Sequence, residues 1–318
     1  MKMAKEGEKK RYRKRRFQEG EVHHIYQRTI KKFNIFYDIE DYLVYYTIFA
    51  IAARQYRIIV LGLCQMYDHI HMLIKPESRV IMSEFVRQVT SMFAREQNND
   101  VGRKGSLFQA RFGSAIKRGS KTVRTAIAYL FNNPVERMLC KRAEEFKWNF
   151  LAYAISDHPF SNPINSKTAS RKLKRALKEV DLAEAEDRHL RYNQLKRILS
   201  GLDYNEQMQL VDHIISIYNP IHYDELIEYY GTYENMITAI NSNTGSEYDI
   251  KEDRYKFSDM EYVRMSDILR QEEGISELRK ITSMGVDEKM RLFEVLRHRV
   301  KCSNFPIAKF LHLNISVS

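Results

Sequence analysis

The chain has 318 residues, enough for two or three domains, and its 44% hydrophobic and 29% charged residues are typical of a globular protein. Only 12 glycines and 6 prolines are present, which excludes collagen-like and proline-rich disordered architectures. Three widely spaced cysteines exclude a disulfide framework and a CxxC zinc module. The longest largely apolar run, 43–53, is about half the length of a membrane span, and no apolar stretch follows the basic N-terminus as in a signal peptide. We therefore expect a cytoplasmic protein with no membrane partner.

The net charge of +11 is concentrated in two parts of the chain. Residues 1–20 contain nine Lys or Arg and three Glu, and residues 101–147 contain eleven basic and three acidic residues. Residues 221–318, in contrast, contain 13 basic and 17 acidic residues. Two basic segments of this kind suit a polyanion, and nucleic acid is the first candidate. A solvated basic surface is the alternative.

The first half of the chain alternates between strand and helix patterns, after a basic arm over 1–20 that we expect to be flexible. Runs of β-branched and apolar residues predict strands, and apolar residues at helical spacing predict helices, the last of them ended by Pro134. The predicted strands are 22–30, 57–66, 69–74 and 107–117, and the predicted helices are 38–53, 82–96 and 121–132. This order is typical of an α+β domain over 21–150, with one antiparallel sheet covered by helices.

The second half of the chain has a different pattern. A linker rich in Pro, Ser and Asn is predicted over 151–168, and an all-helical region over 169–318. The predicted helices are 170–200, 203–217, 222–240, 258–271, 286–300 and 305–313, with a loop over 241–253. The last two helices, within 286–314, are similar to a helix-turn-helix unit for DNA, although simple packing or oligomerisation would give the same pattern.

The segment 68–74, Asp-His-Ile-His-Met-Leu-Ile, carries the first candidate site. On a strand His69 and His71 point to one face and Ile70 to the other. The two histidines lie about 6.6 Å apart along the strand, a spacing at which both imidazoles can reach one metal ion. The alternative is a pair of ordinary histidines on a sheet face. His23 and His24 in the first strand must also face opposite sides, and for these we expect structural roles.

The segment 126–134 carries the second candidate site. On a helix Tyr129 and Asn133 share a face, because they lie four residues apart. The amide oxygen of Asn133 is a hard ligand suitable for Mg²⁺ or Mn²⁺. The phenol of Tyr129, with an ordinary pKa of about 10, needs a metal or nearby cations to act as a nucleophile at neutral pH. Alternatively, Tyr129 is a core residue and the Asn-Pro pair a simple helix terminator.

Taken in order, the motifs of this half resemble one protein family. They are His-Ile-Tyr-Gln-Arg at 24–28, His-Ile-His at 69–71, Gly-Ser-Leu-Phe-Gln-Ala-Arg-Phe at 105–112, Tyr-Leu-Phe-Asn-Asn-Pro-Val at 129–135 and Phe-Lys-Trp-Asn at 146–149. Residues 21–150 are similar to the single-tyrosine HUH transposases, the IS200-like family, and within it to the REP-associated tyrosine transposases. One departure is that Tyr67-Asp68 stands where the family usually has Pro-Asn.

The resemblance implies a small ferredoxin-like sandwich with a metal site and a nucleophile. His69, His71 and Asn133 would bind a divalent metal, Mg²⁺ or Mn²⁺, and Tyr129 would attack single-stranded or hairpin DNA to give a 5′-phosphotyrosine intermediate. Family members that work as dimers make a homodimer one expectation here. The residues expected to contact DNA phosphates are Arg103, Lys104, Arg111, Lys117, Arg118, Lys121 and Arg124.

The predicted function is therefore a metal-dependent DNA strand transferase. Two alternatives remain open at this point. One is a non-catalytic DNA-binding regulator derived from such an enzyme, and the other is a replication-type nickase that shares the metal site. The segment 129–135 favours the transposase.

Overall fold

The structure is a computed structural model that describes residues 16–242 and 258–314. Most of the predicted arm, residues 1–15, and most of the predicted loop, from residue 243 onward, lie outside the described residues. None of the helices in these two ranges is long and apolar enough to cross a membrane.

Four antiparallel strands form one sheet: β1 (Val22–Arg28), β2 (Ile59–Met66), β3 (His69–Lys75) and β4 (Gly113–Lys117). Their spatial order is β2-β3-β1-β4, so the first strand is central. The strands β2 and β3, which correspond to the predicted strands 57–66 and 69–74, form a hairpin. The predicted start of the last strand at 107 was wrong by six residues. Phe108 forms only an isolated bridge with Thr29 before the regular pairing begins.

Three helices cover the sheet. The helices α1 (Ile39–Gln55) and α2 (Arg79–Val101) share one hydrophobic core with Ile70, Met72 and Ile74 of β3. The helix α3 (Gly119–Glu136) packs on the opposite face, in a separate cluster that includes Leu73. The sheet order and the two-sided helical cover confirm the predicted α+β class and its ferredoxin-like arrangement.

The ends of these helices follow local signals with one exception. Asp38 begins α1 as predicted, and its backbone N–H donates to the Asp41 carboxylate at 2.8 Å. The predicted end of α3 before Pro134 was wrong, because the helix continues to Glu136. Proline in the last turn removes one helical hydrogen bond, and the N–H groups of Arg137 and Leu139 still close the helix on the carbonyls of Asn133 and Pro134.

The C-terminal half is helical, as predicted, but more interrupted. The predicted helix over 170–200 is broken near Asp187, and the predicted helix over 222–240 is broken near Gly231, both of which have positive φ. The observed helices are α4 (Arg171–Ala185), α5 (Tyr192–Leu199), α6 (Tyr204–Tyr218), α7 (Tyr223–Glu228), α8 (Tyr233–Ser242), α9 (Met260–Gln271), α10 (Val286–Val300) and α11 (Asn304–Phe310).

These helices pack directly on the sheet domain. Residues of α4, α5 and α6 belong to the same core as α1, and residues of α7 and α8 belong to the cluster around α3. The helices α9, α10 and α11 form a third cluster that contains Tyr37 from the first half. Helix α1 is therefore enclosed on all sides, which explains why it is apolar around almost its whole circumference.

The predicted linker over 151–168 is held against the helices. Leu151 and Tyr153 are buried, and the fully buried carboxylate of Asp212 in α6 accepts hydrogen bonds from the Tyr153 hydroxyl at 2.7 Å and the Phe160 N–H at 3.0 Å. Trp148, just before this segment, stacks on Tyr42 with ring centroids 4.3 Å apart. Trp148 is therefore a packing residue between this segment and α1.

The predicted helix-turn-helix unit is present as two helices, α10 and α11, but its second helix is enclosed. Residues 306–311 are all buried against the third cluster. A recognition helix needs an exposed face to enter a DNA groove. In this packing α11 offers none over those residues, which favours the packing alternative for this segment.

Candidate active site

Strand β3 places two histidines on the face that α3 covers. His69 and His71 alternate with Ile70 and Met72, which point into the opposite core, so the predicted alternation is present. The rings of His69 and His71 have centroids 5.0 Å apart and lie nearly perpendicular to each other. Both side chains are buried. The strand thus brings the two predicted metal ligands together on the inner side of one sheet face.

A third histidine, His24, joins this pair from the central strand. Its position in β1 is opposite Leu73, which puts it on the same face as His71. The Nε2 atom of His24 lies 3.0 Å from Nδ1 of His71, within hydrogen-bond distance. His23 faces the other side and stacks on Phe17. The alternation of the first strand was predicted correctly, but the contact of His24 with the site was not.

Helix α3 brings Tyr129 to the histidines. The Tyr129 ring lies 5.6 Å from the His71 ring and 5.7 Å from the His24 ring, measured between centroids. Only 2% of Tyr129 is exposed. The predicted nucleophile and the predicted metal ligands therefore lie in one cluster, although they are 58 residues apart in the chain from His71 to Tyr129.

Asn133 lies one helical turn after Tyr129 and on the same face. Its amide nitrogen donates to the Tyr129 backbone carbonyl at 3.0 Å. The neighbouring Asn132 points elsewhere and donates to the Ile240 carbonyl in α8. The predicted pairing of Tyr129 with Asn133 across one turn is present, and the bonded amide nitrogen leaves the oxygen of Asn133 as its possible ligand atom.

Asp68 supports His69 from the hairpin turn. One carboxylate oxygen accepts from Nδ1 of His69 at 2.6 Å, and the other accepts from the Lys309 ammonium of α11 at 2.7 Å. Burial by itself would raise the pKa of Asp68, but Lys309 and His69 hold this pKa well below its usual range. Asp68 is therefore an ionised acceptor that fixes the ring of His69.

A second carboxylate lies near this turn, at the start of α9. Burial raises the pKa of Asp259 to about 7, against the opposing effect of Arg137, and the charge of Asp68 raises it further. The Asp259 N–H donates to the Arg137 carbonyl just after α3. The C-terminal helices thus contact the domain next to both site elements, β3 and α3.

The donor set suits a divalent metal. Nε2 of His69 is buried and has no hydrogen-bond partner, while Nδ1 is engaged by Asp68. A buried imidazole nitrogen without a partner is unfavourable unless something binds it, and metal-ligating histidines usually donate their other nitrogen to a carboxylate. Across residues 16–242 and 258–314 no group of three or more His, Cys, Asp or Glu is arranged for a metal ion. A site here would have to include the amide of Asn133, which is the predicted set.

The seven basic residues expected to contact DNA differ in exposure. Lys117 is buried, and Arg103 is half-buried and donates to Asn98 at 2.9 Å and to two carbonyls of the same loop. The exposed ones are Lys104, Arg111, Arg118, Lys121 and Arg124. The last three occupy the start of α3, the helix that carries the predicted nucleophile Tyr129, which is the place where the prediction needs basic residues.

Residues 18–133 match the family model described as "Transposase IS200 like". The resemblance to the IS200-like transposases is confirmed over these residues. The matched segment includes the whole sheet and ends at Asn133. It contains the three histidines, Asp68, Tyr129 and Asn133, whereas Lys309 and Asp259 lie outside it. All helices after α3 lie outside the matched segment.

No curated protein matches the chain. A solved structure described as "Structure of the REP associates tyrosine transposase bound to a REP hairpin" is similar over 50% of this chain and 94% of that chain, with 15% identity and a TM-score of 0.40.

Three residues of the site were not singled out as site residues by sequence reasoning. For His24 the signal was its position in the first strand. Alternation places it on one of the two sheet faces but does not say which face carries the histidine pair. For Asp68 the signal was its departure from the family pattern. For Lys309 no local signal exists, because it reaches Asp68 from 241 residues away.

Proposed function

We propose that the protein is a metal-dependent DNA strand transferase that cleaves and rejoins single-stranded hairpin DNA through a covalent bond to Tyr129. The observation that carries the proposal is the position of the Tyr129 ring, 5.6 Å from the ring of His71 in a segment that matches the IS200-like transposases. A tyrosine packed against a histidine pair on a sheet face is a suitable arrangement for nucleophilic attack on a phosphate.

The reaction exchanges one phosphodiester for another. The Tyr129 oxygen loses its proton and bonds to the phosphorus, the bond to the 3′ oxygen breaks, and that oxygen leaves with one proton as a 3′-hydroxyl. The DNA end that stays bound is a 5′-phosphotyrosine. Because the phosphodiester energy is conserved, attack by a 3′-hydroxyl reverses the step without any nucleotide cofactor.

His69, His71 and Asn133 would hold the divalent metal, Mg²⁺ or Mn²⁺. When bound there, the metal supplies positive charge beside the scissile phosphate and the tyrosine oxygen. Asp68 and His24 orient the two imidazoles through their Nδ1 atoms. The exposed basic residues at the start of α3 would hold the DNA backbone next to Tyr129.

A denaturing gel tests this proposal. Purified protein is mixed with Mn²⁺ and labelled single-stranded hairpins taken from the DNA that flanks its own gene. We expect a covalent adduct that needs the metal, that disappears in Tyr129→Phe, and that survives in Tyr204→Phe, whose tyrosine is 77% exposed and far more accessible. Hairpin binding in a native gel should survive in Tyr129→Phe. An adduct that persists in Tyr129→Phe would remove Tyr129 as the nucleophile.

A second function is favoured by one observation. Tyr129 is only 2% exposed, so a phosphate would reach it only after its surroundings rearrange. A DNA-binding regulator that no longer cleaves DNA would need no such movement. Tight hairpin binding without any adduct, in the presence of Mn²⁺ or Mg²⁺, would favour the regulator over the transferase.

A further inference from the structure

A buried chain of three polar residues links the C-terminal helices to the candidate metal site. Lys309 of α11 donates to one oxygen of Asp68 at 2.7 Å, and Nδ1 of His69 lies 2.6 Å from the other oxygen. The side chains of Lys309, Asp68 and His69 are 4%, 8% and 8% exposed. A buried ammonium and a buried carboxylate are tolerated only when each is paired, so Lys309 and Asp68 each depend on the other.

The two carboxylate oxygens of Asp68 have different partners, His69 and Lys309, and this arrangement gives the link a role. An acceptor at Nδ1 places the imidazole proton there and leaves Nε2 with a lone pair. Nε2 of His69 is the buried atom without a hydrogen-bond partner. Lys309 occupies the remaining oxygen of Asp68 and prevents the carboxylate from rotating away from His69. The ring orientation of His69 therefore depends on both partners.

Lys309 is held firmly in its position. Residues 306–311 are buried, the Tyr37 hydroxyl donates to the Phe310 carbonyl at 2.6 Å, and the Asn34 N–H donates to the Lys309 carbonyl at 3.4 Å. The ammonium also lies within 6 Å of the Tyr262 and Phe305 ring centroids. The helix thus presents a fixed cation to the hairpin turn of the sheet domain.

We propose that Lys309 and Asp68 are positioning residues for His69, so that the C-terminal helix α11 completes a metal site whose ligands all lie in the transposase-like segment. This inference rests on the proposed function for the identity of the ligand, a divalent metal at His69, His71 and Asn133. It extends that function by making metal affinity depend on a part of the chain outside residues 18–133.

Binding of Mn²⁺ alone to the full-length protein, followed by electron paramagnetic resonance without DNA, tests the proposal. We expect Lys309→Met to weaken Mn²⁺ binding by about 10- to 100-fold, the usual effect of losing an outer-shell partner. Lys280→Met, at an exposed lysine of the same region, should bind Mn²⁺ like the wild type. Unchanged Mn²⁺ affinity in a folded Lys309→Met protein would overturn the proposal.

A second variant covers the case in which Lys309→Met does not fold. The double variant Asp68→Asn with Lys309→Met removes both buried charges together, so neither is left unpaired. Its loss of Mn²⁺ affinity should be no larger than that of Lys309→Met alone, because the two residues act as one unit. Wild-type affinity in the folded double variant would also overturn the proposal.

A readout without metal separates this inference from the proposed function. Nitrogen-15 NMR of the histidine side chains, assigned with His69→Ala, reports which nitrogen of His69 carries the proton. We expect the Nδ1–H tautomer in the wild type and a mixture of tautomers in Lys309→Met. A wild type that binds no Mn²⁺ would refute the metal in both proposals. Wild-type binding together with unchanged affinity and tautomer in the variants would refute only the role of Lys309.

Discussion

The buried guanidinium of Arg279 offers the sharpest test of how the C-terminal half is joined to the sheet domain. This side chain is fully buried just before α10 and contacts four carboxylates. Nε lies 2.8 Å from Asp100 at the end of α2, and Nη1 lies 3.1 Å from Asp38 at the start of α1. Nη1 also lies 3.3 Å from the Glu40 carboxylate, and Nη2 lies 3.2 Å from the Glu277 carboxylate. We predict that Arg279→Met destabilises the fold substantially.

The magnitude follows from what the variant leaves behind. Removing one partner of a buried ion pair costs about 3–5 kcal/mol, because the other charge remains buried. Asp38 and Asp100 are 7% and 9% exposed. Lys196 still pairs with Asp100 and Glu277, and Arg270 still pairs with Asp38, so we place the loss in the free energy of unfolding near the lower limit, about 3 kcal/mol.

Urea unfolding measures this loss with two probes. Far-ultraviolet circular dichroism follows the helices, and fluorescence of Trp148, the single tryptophan, follows the core where it stacks on Tyr42. Coincident transitions are required before a free energy is assigned. Arg299→Met is the matched control, because Arg299 pairs with Glu272 on the surface and its loss should cost less than about 1 kcal/mol. Equal losses for the two variants would refute the reasoning.

Three further predictions follow from contacts elsewhere in the fold. Burial raises the pKa of Asp41 to about 7, above its unfolded value, so its contribution to stability is full at acidic pH and is lost as the pH rises through 7. In Asp41→Asn the free energy of unfolding should therefore decline less between about pH 4 and pH 7 than in the wild type. An unchanged slope of this free energy against pH, measured by urea unfolding, would contradict the prediction. Gly113→Ala should lower the free energy of unfolding by about 1–3 kcal/mol, because the new Cβ would lie 1.8 Å from the Tyr26 ring. Adding Tyr26→Ala should recover part of the loss in melting temperature. No recovery would exclude the clash as the cause. Asp212→Ala should expose 151–168 to limited proteolysis, whereas Asp181→Ala at a more exposed ion pair should not; equal cleavage of both variants would mean that Asp212 does not hold this segment.

The local part of the candidate site was predictable from the sequence. Strand alternation placed His69 and His71 on one face, and helical spacing placed Tyr129 and Asn133 on one face, because these periodicities are properties of the backbone itself. The helix boundary at Pro134 was predicted wrongly, since proline in a last turn removes only one hydrogen bond. The start of β4 was also missed, because β-forming residues at 107–112 find only one bridge partner.

By itself the sequence determined the α+β class, the helical second half and the two short motifs, all of which depend on residues that are neighbours in the chain. Only the tertiary structure decided that His24 contacts His71 and that Lys309 reaches Asp68 across 241 residues. It also decided that α11 is buried and that 151–168 is anchored. Such contacts depend on which surfaces the packed helices cover, and no local periodicity encodes which distant residue will satisfy a buried charge.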